Sequence, residues 1–364
     1  MALELGIIGL PNVGKSTLFN ALAGTSVACS NYPFCTVDAN VGVVPVSDHR
    51  LDRLGEILTP EKLTPAAIRF VDIAGLVEGA SRGEGLGNRF LANIREVDAV
   101  VHVVRCFEDT SVAHVDGTVD PERDLATIRT ELLLADLGTC ERNHEKRRKD
   151  RDRGDKEAGH VAEALASARE ALDAGTMLRD AALSETELEL LAEYRFLTIK
   201  DHLIVANISE ADTGVGEESW VSRLSSSTGE PDWKIVPIAA SLEAELVTLP
   251  EEERSEFLEG WGIAERGLDR LVGAGYRLLG LVTFFTIKGP ETRAWTVPAG
   301  TTVAEAAGRI HSDMEKGFIR ADVVSFDDLA AEGSMHAVRD SGHLRTEGRD
   351  YEVSEGDVVL VHFH

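Results

Sequence analysis

One eight-residue stretch constrains the fold of this chain more than any other. Residues 9–16 read Gly-Leu-Pro-Asn-Val-Gly-Lys-Ser, which fits the pattern G-x-x-x-x-G-K-[ST]. Glycines let backbone N–H groups curl around phosphate oxygens, the lysine reaches the β- and γ-phosphates, and the serine hydroxyl ligates Mg²⁺. A strand signal at 6–8 precedes the stretch and a helix signal at 16–23 follows it, as the motif requires. We therefore predict a phosphate-binding loop made by Asn12, Val13, Gly14, Lys15, Ser16 and Thr17.

The order of strand and helix signals indicates an α/β fold. Apolar runs that suit buried strands lie at residues 6–8, 41–46, 67–71, 99–104, 203–206 and 234–238. Residues 125–200 are instead rich in charge and alanine, with apolar positions at helical spacing, which predicts a coiled-coil-like antiparallel pair of helices. We predict a P-loop NTPase domain with a mostly parallel, Ras-like sheet over 1–280, interrupted by a helical insertion over 125–200. Residues 281–364, with a hairpin and then a helix at 302–314, form a second, α+β domain.

Composition excludes several classes of protein. No stretch approaches the ~20 continuous apolar residues of a membrane span, and the N-terminus has no basic flank typical of a signal peptide. The four cysteines show neither a CxxC pair nor a zinc spacing, which favours reduced thiols and a cytoplasmic location. A net charge of −26 argues against polyanion binding by the whole surface. We expect neither a membrane nor DNA as a partner.

A carboxylate for the metal follows the strand at 67–71. Asp72 begins the stretch Asp-Ile-Ala-Gly, where it can hold Mg²⁺ through water while Gly75 lets the backbone approach the γ-phosphate. Thr36 is placed to close over the same ion. We therefore assign Ser16, Thr36 and Asp72 to the metal. A plain turn at the strand end and an ordinary loop threonine are the alternatives.

Together these motifs resemble those of the Obg-like ATPases, also called the YchF family, within the translation-factor class of P-loop proteins. The resemblance covers essentially the whole chain and, besides residues 9–16, rests on Asn31-Tyr-Pro-Phe-Cys-Thr36, Asp72-Ile-Ala-Gly-Leu-Val77, Val104-Arg-Cys-Phe107, Asn207-Ile-Ser-Glu210, Arg293-Ala-Trp-Thr-Val-Pro298 and Glu315-Lys-Gly-Phe-Ile-Arg320. It implies a P-loop domain, a helical insertion and a C-terminal TGS domain of ubiquitin-like β-grasp shape. It also implies a preference for ATP.

The stretch Asn207-Ile-Ser-Glu210 stands where Ras-type GTPases carry Asn-Lys-x-Asp. In those enzymes the aspartate accepts two hydrogen bonds from guanine and the lysine stem covers the ring. Ile208 removes the lysine and Glu210 is one methylene longer than aspartate, which costs roughly 1.5–3 kcal/mol, or about 10- to 150-fold in guanine affinity. Adenine presents an N6 amine beside an N7 acceptor, which suits an amide such as Asn207. We predict an adenine pocket, to which we also assign Ser241 and Leu242, and disfavour a true GTPase.

The group that activates the attacking water is less evident. Ras-like enzymes place a glutamine after Asp-x-x-Gly, whereas this chain has Leu76, which cannot form a hydrogen bond. The resemblance points to His114, in the loop after the strand at 99–104, as a catalytic residue beside Lys15; an ordinary structural histidine is the alternative. Asn12 could ligate K⁺ next to the phosphates, where the ion would replace an arginine finger, or it could merely shape the loop. The expected cofactor is Mg²⁺, with K⁺ as an open second one.

A local basic cluster indicates a partner rich in phosphate. Residues 141–153 hold seven Lys/Arg against four acidic residues in an otherwise acidic chain. Contacts to RNA phosphates need such a cluster, although a solvated helix tip would look the same. We expect the ribosome, with the large subunit favoured, or another translation-linked RNA–protein partner. TGS modules also occur in threonyl-tRNA synthetases and stringent-response enzymes, so the resemblance implies a docking role linked to translation.

Two classes of function stay open at this point. In the first, the chain is a slow Mg²⁺-dependent ATPase whose ATP and ADP states set its affinity for the ribosome. In the second, it is a binding protein in which ATP occupancy alone controls a partner and hydrolysis is incidental. His114 favours the first class and Leu76 the second.

Overall fold

The structure is a computed structural model of the 364-residue chain. It describes residues 3–25, 40–73, 86–109, 112, 114, 117–287 and 289–364, with only the backbone at 86–89. The described residues form two compact units. The large unit comprises residues 3–24 and 70–274, and the small unit comprises residues 25–69 and 275–364.

The strands, in chain order, are β1 (Glu4–Ile8), β2 (Val41–Pro45), β3 (Lys62–Thr64), β4 (Ala67–Asp72), β5 (Ala99–Arg105), β6 (His202–Asn207), β7 (Ile235–Ile238), β8 (Leu281–Thr286), β9 (Glu291–Pro298), β10 (Phe318–Ser325), β11 (Arg345–Glu347) and β12 (Asp357–Phe363). The helices are α1 (Lys15–Gly24), α2 (His49–Leu58), α3 (Leu86–Glu96), α4 (Pro121–Asp152), α5 (Lys156–Asp173), α6 (Glu185–Leu191), α7 (Glu217–Thr228), α8 (Ala240–Thr248), α9 (Glu251–Gly260), α10 (Gly267–Leu278), α11 (Val303–Ile310), α12 (Ser312–Lys316), α13 (Phe326–Glu332) and α14 (Met335–Ser341). In the described part of the chain, no helix has both the length and the apolar character that a membrane span requires.

The sheet of the large unit has the strand order β4-β1-β5-β6-β7. The pairs β1–β5, β5–β6 and β6–β7 are parallel, as predicted. Every residue of β5, β6 and β7 is buried, which a parallel sheet requires when both of its faces are covered. The carboxyl ends of these strands lie at one edge of the sheet, where ligands bind in open α/β folds.

The predicted helical insertion is an arm of long helices, which we call the arm (residues 121–200). Asp120 caps α4 by accepting from the Arg123 N–H at 3.0 Å, and Pro121 occupies the first turn, so the helix starts four residues earlier than predicted. At 32 residues, α4 is about 48 Å long. It packs against α5 around a core that includes Cys140, Leu165 and Leu172.

The small unit contains a mixed sheet in the order β11-β10-β12-β8-β9-β3. The hairpin β8–β9 is antiparallel and the last strand, β12, pairs in parallel with β8, which is the strand arrangement of a β-grasp fold. A capping box of Thr302 and Glu305 starts α11, which ends at Ile310, so the predicted helix at 302–314 is two helices with a break at His311.

The sequence analysis missed one strand of this sheet. Residues 62–64 form β3, which pairs in parallel with β9, far away in sequence. The side chain of Thr64 donates to Glu291 at the same place. Because of this pairing, the compact units do not follow the single cut at 280/281 that the sequence suggested.

Candidate nucleotide site

The phosphate-binding loop connects β1 to α1 at the carboxyl edge of the large unit's sheet. Gly14 has φ +91°, a backbone conformation that favours glycine, and a Cβ at this position would lie 2.0 Å from Nδ2 of Asn207. Asn12 also has a positive φ of 65°, which asparagine tolerates better than most residues. The first turn of α1 follows directly at Lys15, so its free N–H groups face a phosphate bound in the loop.

Asn207, the last residue of β6, ties three parts of the site together. Its amide nitrogen donates to the carbonyl of Val13 at 2.8 Å, and its amide oxygen accepts from the N–H of Ala240 at 3.1 Å. Its own carbonyl accepts from the N–H of Cys106 at 2.8 Å. The side chain is buried, so these bonds fix the phosphate loop relative to the ends of β5 and β7.

These bonds leave part of the Asn207 amide for the base. We predicted that this amide suits both the N6 amine and the N7 of adenine; its oxygen accepts from Ala240 with one of its two lone pairs, so the other can still accept from N6. One N–H of the amide remains after the bond to Val13, and it could donate only to an acceptor such as N7.

A cavity of about 1300 Å³ opens at this edge of the sheet, large enough for a nucleoside triphosphate. Predicted site residues that line it are Asn12, Gly14, Lys15, Ser16, Thr17, Asp72, Asn207, Ile208, Glu210 and Ser241. The other described residues in its wall are Leu10, Pro11, Phe107, Glu108, Asp109, Val112, Ser209, Ala211 and Ala240. The phosphate loop, the metal carboxylate and the base loop therefore share one cavity.

Two predicted nucleotide-binding residues that the structure describes, Val13 and Leu242, do not line this cavity. Val13 contributes its carbonyl to Asn207 while its side chain is buried in the core. Leu242 is also buried and packs into the core beneath β6 and β7 instead of lining the cavity. Thr36 and Gly75 lie outside the described residues.

The residues present fit a magnesium ion. Lys15 and Asp72 form an ion pair at the mouth of the phosphate loop, and the exposed Ser16 shares the cavity with them. Mg²⁺ prefers hard oxygen ligands and takes only one or two protein carboxylates when a nucleotide supplies phosphate oxygens. The described residues contain no cluster of three His, Cys, Asp or Glu that could hold a metal ion by themselves.

The base loop begins with a buried residue and ends with an exposed one. Ile208 is 2% exposed, packs in the core below the cavity, and its N–H donates to the carbonyl of Ile238 at 3.0 Å. Glu210 is exposed and starts a short 3-10 turn over Glu210–Asp212. A lysine at 208 would therefore have to extend from the core to bring its ammonium group to solvent. Glu210 is exposed, so its substitution would not disturb the packing of the core.

His114 lies away from the cavity in this structure. Its Nε2 is 3.0 Å from Oδ2 of Asp124, in the first turn of α4, and the two side chains are 3% and 1% exposed. Among the described residues of the cavity wall, Val112 is present and His114 is not. The structure thus does not bring the predicted catalytic histidine to the predicted phosphate site.

Arg105 supports the cavity wall from behind, a role that the sequence analysis overlooked. It ends β5, is 1% exposed, and donates to the carbonyls of Phe107, Asp109 and Val112 at 3.0–3.1 Å. Its guanidinium also stacks on the Phe107 ring, 4.7 Å from the centroid. The stretch Val104-Arg-Cys-Phe107 supported the family resemblance, but no pattern in it showed that the arginine would bind main-chain carbonyls of the cavity wall.

Two family descriptions match parts of the chain. The family described as "50S ribosome-binding GTPase" matches residues 4–135. The family named YchF-GTPase_C, described as "Protein of unknown function (DUF933)", matches residues 281–364. The first match contains the phosphate loop and Asp72, and the second contains the sheet of the small unit except β3.

Relatives match over the full length. A Haemophilus ducreyi protein named "Ribosome-binding ATPase YchF" is 47% identical over 364 residues, covering 100% of both chains, and the Bacillus subtilis protein of the same name is 45% identical over 366 residues with the same coverage. The solved structure of the Schizosaccharomyces pombe YchF GTPase superimposes with a TM-score of 0.88 at 34% identity, over 99% of this chain and 97% of that one. Sequence and fold agree along both units, and the chain belongs to the YchF family.

Proposed function

We propose that this chain is a Mg²⁺-dependent ATPase that hydrolyses ATP to ADP and phosphate and uses the nucleotide to control its binding to the ribosome. The observation that carries the proposal is the single cavity shared by the phosphate loop, Asp72 and the base loop. The names of the Haemophilus ducreyi and Bacillus subtilis relatives support both the activity and the partner. The family description that matches residues 4–135 supports the large subunit in particular.

Each side chain of the phosphate site has a definite task in this proposal. Backbone N–H groups of residues 12–17 and the ammonium of Lys15 bind the phosphates, which places negative charge where the helix N-terminus favours it. Ser16 and Asp72, with Thr36 expected to join them, would hold Mg²⁺, which supplies positive charge to the phosphoryl group when bound. Lys15 and Asp72 are close enough to form an ion pair, so a phosphate bound by the lysine and a Mg²⁺ ion bound by the carboxylate would be neighbours.

The base loop favours adenine over guanine. Glu210 is one methylene too long for the two hydrogen bonds that an aspartate makes to guanine, and Ile208, which lines the cavity but is only 2% exposed, has no lysine stem that could cover the base. The Schizosaccharomyces pombe relative is nevertheless called a GTPase, so the base is worth measuring directly. Calorimetry should show that ATP binds at least several-fold more tightly than GTP. Glu210→Asp should reduce this difference in affinity. Equal or tighter GTP binding by the unchanged protein would contradict an adenine pocket.

His114 is proposed as the residue that orients the attacking water. A positioned imidazole contributes roughly 10²–10⁴-fold to such a step. His114→Ala should therefore lower kcat strongly and change ATP affinity little. If turnover is unaffected with and without ribosomes, the water is held by another group.

The second candidate function is a binding protein controlled by ATP occupancy alone. The burial of His114 against Asp124, away from the cavity wall, favours it. Sedimentation with ribosomes should be compared between a non-hydrolysable ATP analogue and ADP, and turnover should be measured with and without ribosomes. Nucleotide-dependent sedimentation without any rise in turnover supports the binding protein, whereas a rise in turnover supports the ATPase.

K⁺ as a second cofactor remains a prediction. The left-handed backbone of Asn12 supports the alternative in which this residue shapes the loop, since asparagine is one of the few residues that adopt such a conformation at low cost. Exchange of KCl for NaCl at constant ionic strength would show whether turnover depends on the cation.

A further inference from the structure

The contact between His114 and Asp124 is a buried charge-bearing pair at the start of the arm. Asp124 stands in the first turn of α4, where the helix dipole favours a carboxylate. Its second oxygen lies 3.4 Å from the guanidinium of Arg123, and its N–H donates to the carbonyl of Asp120 at 3.0 Å. The carboxylate is therefore held in place by the helix itself, independently of His114.

The position of this pair relative to the cavity wall indicates what it does. Val112, two residues before His114, lines the cavity and is 37% exposed. Because two residues of chain span at most about 7 Å, the backbone of His114 lies within that distance of a residue of the cavity wall. An imidazole that already faced the open cavity would be accessible to water, and this one is 3% exposed.

We infer that Asp124 is a positioning residue that holds His114 out of the nucleotide cavity, and that a partner bound at the tip of the arm releases it. The inference rests on the proposed role of His114 in hydrolysis. Asp124 and residues 141–152 of the basic cluster belong to one uninterrupted helix, in which the cluster begins about 25 Å and ends about 42 Å from Asp124. A partner that shifts α4 moves the carboxylate that holds the histidine, and so changes the balance between held and released states.

The decisive variant is Asp124→Asn, which keeps the shape of the side chain and removes its charge. Loss of a charge-assisted hydrogen bond should increase the released fraction on the order of tenfold. We expect basal turnover to rise by about that factor, with ATP affinity unchanged and a smaller further stimulation by ribosomes. A merely structural role for Asp124 predicts lower turnover instead.

Asp136→Asn is the matched control. Asp136 is a buried aspartate of the same helix, and it accepts from the N–H groups of Leu197 and Thr198 and from the Thr198 hydroxyl. The substitution makes the same chemical change at a place without contact to His114. Its turnover should match that of the unchanged protein even if its thermal stability falls.

The single variant His114→Ala and the double variant with Asp124→Asn distinguish a failure of the catalytic role of His114 from a failure of the positioning role of Asp124. If His114→Ala retains normal turnover, the proposed catalytic role fails. If His114→Ala loses turnover but Asp124→Asn stays at or below the unchanged protein, the catalytic role stands and the inference about Asp124 is overturned. A rise in Asp124→Asn that disappears in the double variant supports the inference.

Chemical labelling tests the same contact without relying on activity or on the stability of a variant. Diethyl pyrocarbonate modifies accessible imidazoles, and His336, with a side chain 86% exposed, provides an internal reference by mass spectrometry. In the free, unchanged protein His114 should react far more slowly than His336, and ribosomes should accelerate it. Equal rates in the free protein, or no change at His114 with ribosomes, would overturn the inference.

Discussion

Polar side chains serve different ends in two regions of the molecule, the wall of the nucleotide cavity and the tip of the arm. Around the cavity, Asn207 and Arg105 are buried and bond to main-chain atoms of other segments. At the tip, Lys149, Arg151 and Arg153 are exposed and pair with acidic neighbours on α4. In the cavity wall, the buried side chains fix the position of the main chain. At the tip, the exposed charges depend on the helix for their position and do not stabilise other segments.

The difference teaches which substitutions the molecule tolerates. Removal of a buried partner leaves a main-chain group unsatisfied, at about 1–3 kcal/mol each, whereas an exposed ion pair contributes about 0–1 kcal/mol. Substitutions in the cavity wall should thus change stability and nucleotide binding even when they conserve charge. Substitutions at the tip should act only through the change in net charge. The following predictions test this contrast, from the largest expected effect to the smallest.

Asn207→Ala should have the largest effect. It leaves the carbonyl of Val13 and the N–H of Ala240 without their partner, which loosens the phosphate loop and the base side of the cavity together. ATP affinity measured by calorimetry should fall on the order of 100-fold or more. Asn207→Asp is the matched variant, because it still accepts from Ala240 but cannot donate to Val13. ATP affinity of Asn207→Ala within threefold of normal would show that the tie is dispensable.

Arg105→Met should come next. Three carbonyls lose their donor, so the free energy of unfolding should fall by about 2–4 kcal/mol, and KM for ATP should rise more than kcat falls because the Phe107–Val112 wall is displaced. Arg270→Met is the control, since Arg270 also holds a carbonyl, that of Pro237 at 2.9 Å, and pairs with Glu217 away from the nucleotide. The control should lose stability and keep its KM. Equal effects on KM in both variants would contradict a local role for Arg105.

A buried histidine pair should make the fold sensitive to acid. Burial, aided by the charge of Arg179, lowers the pKa of His102 to about 3, and burial also lowers the pKa of His202, whose ring centroid lies 5.1 Å away. The folded state therefore keeps His102 neutral while the unfolded chain takes up a proton, so stability is complete above pH 6.5 and falls as pH drops from 6.5 towards 3.

Denaturant unfolding at pH 7 and pH 5 measures this effect. His102 alone should account for about 2 kcal/mol of the loss of unfolding free energy between these two values. In His102→Gln the loss should be smaller by about that amount, whatever the variant's stability at pH 7. An identical pH dependence in the variant and the unchanged protein would mean that the pKa of His102 is the same in the folded and unfolded states.

The tip of the arm should show the smallest effect on the fold. Arg147 should be left intact, because it donates to Tyr194 and Glu193 and so helps to hold the arm together. Reversal of Arg148 and Lys149 to glutamate should change unfolding free energy by less than about 1 kcal/mol, yet weaken ribosome sedimentation and flatten its salt dependence. Arg169→Glu with Arg195→Glu, two exposed positions of the arm away from its tip, is the charge-matched control. Equal sedimentation of both double variants across a salt series would leave the tip as a solvated surface.

Periodicity and the phosphate motif were sufficient to predict the sheet, the arm and most of the cavity. Buried runs such as those of β5 and β6 are typical of a parallel sheet covered on both faces, and the glycine-rich motif requires a strand before it and a helix after it. Local sequence decides these features, because each depends on neighbours within a few residues.

Contacts between distant segments could not be predicted in this way. Leu242 and Ser241 are adjacent in sequence, but only the structure shows that one faces the core and the other the cavity. The partners of Asn207 at Val13 and Ala240, and that of His114 at Asp124, depend on how loops from different strands meet. No pattern in the sequence specifies such meetings, since many polar pairs would suit each side chain equally well.

The pairing of β3 with β9 also governs the order in which the chain can fold as it is synthesised. Lys62 pairs with Glu291, 229 positions later, and at about 5–20 residues per second this interval takes roughly 10 to 45 seconds. Until then β3 has no partner on that side, and its Leu63 is exposed even in the finished fold. Conversely, a fragment that starts at residue 281 would leave the edge of β9 open to pairing with other chains. The sheet of the small unit can thus be completed only late in synthesis, although β3, one of its strands, is made early.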